Sequence, residues 1–179
     1  MPIAEHDELV NEMVVVRFVD NFLCYVSDLL ALIFATRPET LRSGEQERLD
    51  FILLYNTIEE LRHALAEKRV ERLAFLGMRE LNEYLLERLK FPLASGDLLE
   101  DAVRLIEIRN IIVHNRAIVS AISARRVPSL SSHLGKRLKI PDIWKDRFFL
   151  RQLALDIDVR AAKKFDLPVA QLPPHPESI

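Results

Sequence analysis

The chain has 179 residues, 49 % of them apolar and 29 % charged, with a formal net charge of −2 at pH 7. This is globular composition, which excludes wholesale disorder, and the length suits one domain with a substantial core. The four glycines, Gly44, Gly77, Gly96 and Gly135, are scattered singly, which excludes the glycine-rich loops that cradle phosphates.

A single cysteine, Cys24, permits neither an intrachain disulfide nor a cysteine metal cluster. Its apolar surroundings predict a small core residue. The acidic start, Met1 to Glu8, lacks the basic flank of a signal peptide. The apolar stretch Met13 to Ala35 is interrupted by Arg17, Asp20, Asn21 and Asp28, whereas a membrane span needs about 20 nearly unbroken apolar residues. The expectation is a soluble cytoplasmic protein with no membrane contact.

Helical spacing dominates the chain. From about Glu5 to Thr36, Leu9, Met13, Val16, Val19, Leu23, Val26, Leu30 and Ile33 recur every three or four residues, and Pro38 stops this first helix. Ser43 and Gln46 have the spacing of a capping box that opens a second. Its stripe is Leu54, Ile58, Leu61 and Leu65; another runs through Val70, Leu73, Gly77, Met78, Leu81 and Leu85. No Gly or Pro separates the two. One helix from 45 to 89 would be about 68 Å long, against about 40 Å for a domain of this size, so a break is placed near 67–69. Gly77, inside the third helix, marks a close helix contact.

Phe91-Pro92 ends the third helix, and Asp97 with Glu100 forms the cap and acidic first turn of a fourth, which runs to about Asn115. This is the most apolar helix, and being apolar on most sides it belongs in the centre of a bundle. Pro128 breaks the helical pattern beyond it. A small β-hairpin is expected within 129–140 around Gly135, and Pro141 suits the first position of a last helix over 142–165. The fold class is therefore all-α, a bundle of about five helices over 1–166 with a Pro-rich tail over 167–179.

Polar side chains intrude on the apolar fourth helix. At 100° per residue, Arg109 points into its most apolar face among Leu98, Ala102, Leu105, Ile106 and Val113. An unpaired buried guanidinium is costly, so a carboxylate partner is expected, with Asp20 and Asp28 of the first helix as candidates. Asn110, His114 and Glu107 lie together on an adjoining edge. A structural network, with Arg109 on a carboxylate and His114 bonded to backbone, is one reading of this set.

Arg109-Asn110-x-x-x-His114 resembles the Arg-polar-x(3–5)-His motif of HEPN domains, and the string Glu107 to Val119 is similar to bacterial members. The resemblance covers residues 5–165 as architecture and 107–119 as motif. It departs at Ala117, where a glycine is expected. It implies a metal-independent endoribonuclease, in a toxin–antitoxin or phage-defence setting, whose two subunits face each other so that both motifs line one cleft. His114 would move protons, Arg109 would stabilise the phosphorane, and Asn110 would orient the histidine or bind phosphate. RNA, a second copy and an antitoxin protein are the implied partners; no metal or other cofactor is expected. Asn115, Arg116, Arg125 and Arg126 are expected to hold the RNA backbone. The alternative is a non-catalytic HEPN-like module that binds nucleotides or a protein, and a third possibility is a purely structural helical protein.

The charge distribution agrees with an RNA partner. Residues 1–100 carry 19 acidic and 11 basic side chains; residues 101–179 carry 8 and 14. Within 104–151, 11 basic residues face Glu107, Asp142 and Asp146. Trp144, Phe148 and Phe149 share this stretch; they are expected in the core of the last helix, with base stacking as the alternative. Glu60-x-x-His63 matches half of a di-iron site, but no second copy exists. His6, His133 and His175 are expected at the surface.

Overall fold

The computed structural model describes residues 3–42, 46–140 and 143–167. Within them lie seven α-helices: α1 (Ile3–Thr36), α2 (Leu49–Ile52), α3 (Ile58–Ala74), α4 (Met78–Leu89), α5 (Gly96–Asn115), α6 (Ala121–Arg126) and α7 (Ile143–Phe165). Short 3-10 turns occupy Pro38–Leu41 and Pro128–His133. The chain is an all-α bundle, with α1, α3, α4, α5 and α7 as its longer members.

The long first helix forms as expected and ends before Pro38. It packs against α3, α5 and α7. Its buried face is Val15, Val19, Phe22, Val26, Leu29, Leu30, Ile33 and Phe34. That face is rotated from the predicted stripe: Leu9 and Met13 are exposed, and so is Cys24, which is not a core residue. For Leu9 and Met13 the cause is length. At 1.5 Å per residue α1 spans about 51 Å and α7 about 35 Å. The first turns of α1 therefore overhang their partners, leaving Leu9, Val10 and Met13 in solvent. By length and composition His6–Thr36 also passes the test for a membrane span, with a mean hydropathy of 1.7, but core helices pass the same test.

The region between α1 and α5 departs most from expectation. Ser43 lies outside the described residues, so the proposed Ser43–Gln46 box does too. The capping box that forms is Thr57-x-x-Glu60: the Thr57 hydroxyl accepts from the Glu60 amide at 3.1 Å, and the Glu60 carboxylate accepts from the Asn56 amide at 2.9 Å. This opens α3 at Ile58, and the helix runs straight through 67–69. The breaks fall at 53–57 and 75–77 instead. Gly77 is not inside a helix; it is the N-cap of α4.

The α4–α5 linker is clamped from both sides. The buried Asn82 side-chain oxygen accepts from the Leu93 and Ala94 amides at 2.7 and 3.1 Å. Arg160 of α7 donates to the Pro92 and Leu93 carbonyls at 2.7 and 2.6 Å and lies over the Phe91 ring. The N-cap of α5 is Ser95, with Asp97 in the first turn rather than at the cap. Contacts of α1 with α7 (Tyr25 with Ala154, Arg37 with Phe165) set those two helices parallel. The Arg160–Leu93 and Arg104–Asp146 contacts set α5 antiparallel to α7.

No β-hairpin forms at 129–140. Pro128 starts a 3-10 turn, and the segment after it pairs with the exit of α5 through two isolated bridges, Ile118 with Arg137 and Val119 with Leu134. The last helix buries Leu150, Leu153, Ile157, Ala161 and Phe165 at three- and four-residue spacing and leaves Val159 exposed, which separates it from a strand. Pro141 lies outside the described residues. So do 168–179 of the expected tail, whereas Leu167 is buried against the core.

Tyr25 donates to the Ala154 carbonyl at 3.0 Å. Burial, and then the Asp158 carboxylate, push its phenol above the ordinary 10.0. An unfolded tyrosine ionises near that value while the folded one stays neutral, so the stability this linkage supplies is complete below about pH 10 and is lost as pH rises further. Urea unfolding across pH 9–11.5 should show stability falling in the wild type and a shallower slope in Tyr25→Phe.

Candidate functional site

Between Ala102 and Ile111, α5 is enclosed on every side: Ala102, Val103, Leu105, Glu107, Ile108 and Ile111 are all buried and point around the full circumference. Its neighbours are α1, α4, α6 and α7. A polar group in this stretch must find a partner from another element. Three do. Glu107, 6 % exposed, faces Arg126 of α6, 3.5 Å away. Arg104 bonds Asp146 of α7 at 2.9 Å. Arg109 donates from Nε to Asp20 of α1 at 2.7 Å.

Asp20 is thus the carboxylate that the burial of Arg109 demanded; Asp28 stays exposed. The pair is partly shielded, with side-chain exposures of 25 % for Arg109 and 34 % for Asp20. The Nη1 atom of Arg109 also donates to the side-chain oxygen of Asn110 at 3.1 Å. One turn further on, His114 lies in the last turn of α5 and is exposed. The enclosure ends before it: Val113, His114, Asn115 and Arg116 all face solvent.

The helix exit is strained. Arg116 and Ala117 are consecutive left-handed residues, with φ of 52° and 61°, a conformation that costs an L-residue about 1–2 kcal/mol. Both amides bond the Ile111 carbonyl, the double closure of a helix terminus. Ala117, the departure from the motif's pattern, is buried and held in place by the Leu138 amide, which donates to its carbonyl at 2.7 Å. The 134–138 segment is itself fixed to α1, because Arg137 donates to the buried Glu12 at 2.6 Å. Sequence reasoning did not find this clamp; its one signal is a carboxylate, Glu12, on an otherwise apolar stretch of α1.

Asn110 and His114 therefore share one edge at the bundle end, and Arg109, on the adjoining face, reaches that edge through its bond to Asn110. Arg126 lies elsewhere on α5's surroundings, beside Glu107 and about 10 Å along the helix axis from His114. Its guanidinium is engaged by that carboxylate and its carbonyl accepts from Arg79. Arg125 is exposed on α6. Arg79 also holds Glu100, whose carboxyl it keeps below the usual carboxylate range by hydrogen bonding. His6 and His133 are exposed as expected, and His175 lies outside the described residues. Glu60 serves the α3 cap and His63 faces Glu67, 3.6 Å away. Among the described residues no three His, Cys, Asp or Glu side chains converge in a metal-binding group. Trp144 and Phe148 are not core residues: they are 74 % and 61 % exposed, while Phe149 is half-buried.

The structure defines an all-α bundle in which Arg109, Asn110 and His114 lie in the last two turns of its enclosed helix. Comparison with protein-family models, with curated proteins and with solved structures finds no match to the chain.

The strained exit gives a direct test. Glycine adopts a φ of about 60° without steric cost, which outweighs its greater freedom in the unfolded chain. Arg116→Gly, which relieves the same strain at the exposed position without removing a buried methyl, should raise the unfolding free energy by about 0.5–1 kcal/mol in urea.

Proposed function

We propose that the protein is a soluble, cytoplasmic, metal-independent endoribonuclease of HEPN type, working as a homodimer and restrained by an antitoxin partner. The observation that carries this reading is the Arg109 guanidinium, fixed by Asp20 and bonded to Asn110, whose helix edge also carries solvent-exposed His114. Those groups match the needs of RNA cleavage by its own 2′-hydroxyl. His114 in neutral form takes the hydroxyl proton as the oxygen attacks the adjacent phosphorus. Negative charge then grows on the phosphoryl oxygens, and Arg109 meets it with a planar fork. Asp20 occupies Nε, so the recognition falls to the outer nitrogens. The departing 5′ oxygen needs a proton, which the protonated His114 of a second subunit supplies. The products are a 2′,3′-cyclic phosphate and a 5′-hydroxyl. Asn115, Arg116 and Arg125 are the exposed groups that would hold flanking phosphates, with Arg126 shared between RNA and Glu107.

A second reading has one observation in its favour. Asp20 offsets the charge of Arg109 as a structural ion pair does, which suits a non-catalytic module that binds a nucleotide or a protein.

The two readings separate in an RNA-cleavage assay containing EDTA. His114→Ala changes an exposed ring, and Arg109→Lys keeps a cation against Asp20 while losing the fork. Each should cut less than about one-hundredth of wild type, with an unchanged circular dichroism spectrum. Light scattering should give twice the 20.7 kDa of one chain. Wild-type cleavage rates in both variants would remove the motif from the reaction.

A further inference from the structure

We propose that the N-terminal half of α7 is a stacking platform for single-stranded RNA, an inference that rests on the RNA-directed reading of the Arg109–His114 site. Trp144 and Phe148 are one helical turn apart and share a face. Both rings stand mostly in water, because the inward face of α7 is filled by Leu150, Leu153 and Ile157. Two large aromatic rings side by side at the surface are a costly arrangement for a protein that does not use them.

The surroundings say what would cover them. Residues 136–151 contain Lys136, Arg137, Lys139, Lys145, Arg147 and Arg151 against Asp142 and Asp146. The Asp146 carboxylate is turned onto Arg104 at 2.9 Å and is only 13 % exposed. Arg137 is engaged by Glu12. Lys136, Lys139, Arg147 and Arg151 are exposed, and the Arg147 guanidinium lies over the Trp144 ring, 5.5 Å from its centre. An apolar protein surface would have to desolvate these exposed cations. A single strand offers what the patch needs: flat bases for the two rings and phosphates for the cations. A duplex does not, since its bases are already stacked within the helix. The Arg104–Asp146 pair joins this part of α7 to the helix that carries the motif.

Trp144 is the only tryptophan in the chain, so its emission reports on the platform alone. The test is titration of the full chain carrying His114→Ala with a 12-nucleotide oligouridylate, monitored by tryptophan fluorescence. Saturable quenching is expected, with none from an RNA duplex of the same length. Phe148→Ala should weaken the oligouridylate about tenfold or more, and Trp144→Ala should do the same by anisotropy of labelled RNA, whereas Trp144→Phe retains binding. Binding with unchanged emission and an unaffected Trp144→Ala variant overturns the platform, as does an absence of binding. If Trp144→Ala instead halves the mass in light scattering and emission tracks protein concentration rather than RNA, the surface is an interface between copies and the proposal falls. Cleavage by the unsubstituted chain is read separately. Cleavage without quenching removes the platform and leaves the nuclease; quenching without cleavage does the reverse.

Discussion

The enclosure of α5 is the constraint on which the arrangement of this protein turns. A helix buried on all sides cannot carry an ionised side chain unless a neighbour neutralises it. Three charged residues on this helix are each neutralised by a different element: Arg104 by α7, Glu107 by α6 and Arg109 by α1. These pairs do more than offset a desolvation cost. Each fixes the rotation and height of one neighbour relative to α5. Parallel packing of α1 with α7, and the antiparallel course of α5 between them, bring Asp20 to Arg109 and Asp146 to Arg104.

The same constraint explains why the proposed site lies where the helix ends. Enclosure stops after Ile111, and within one turn the side chains pass from buried to exposed. Arg109 is at that margin, shielded enough to be held by Asp20 and open enough to meet a ligand. His114 is beyond it. The left-handed pair Arg116–Ala117 turns the chain sharply away, and the 134–138 segment, pinned by Arg137 to Glu12, keeps it turned. Strain of this kind persists where surrounding contacts over-determine the backbone.

Much of this was legible in the sequence. The helices α1, α5 and α7 are long, periodic and bounded by Pro or by polar turns, so their extents could be read closely. The need for a carboxylate beside Arg109 came from the cost of burying a guanidinium, and Asp20 was one of two candidates. The region from 43 to 89 was less legible because neither Gly nor Pro marks the breaks there. A two-residue capping contact, Thr57 with Glu60, decided where α3 begins. Side-chain exposure was harder still. Trp144 and Phe148 have the same spacing as a core stripe, but α7 carries a second stripe of Leu150, Leu153 and Ile157, and only one face can be turned inward. Leu9 and Met13 were misplaced for a related reason. Periodicity shows that a helix has an apolar face, but not how far its neighbours extend along it. The HEPN-like motif lies in the most legible helix, whereas its backbone exit, with alanine in a glycine-like conformation, emerged only from the structure.

Arg109 and His114 are proposed to catalyse transfer of the RNA phosphoryl group from its 5′ oxygen to the neighbouring 2′-hydroxyl. The chemistry of the cut ends tests it most directly. Mass spectrometry of a short single-stranded RNA incubated with the EDTA-treated protein should find 2′,3′-cyclic phosphate on one fragment and 5′-hydroxyl on the other. Fragments ending in 3′-hydroxyl and 5′-phosphate, or an RNA left intact by folded protein, would contradict it.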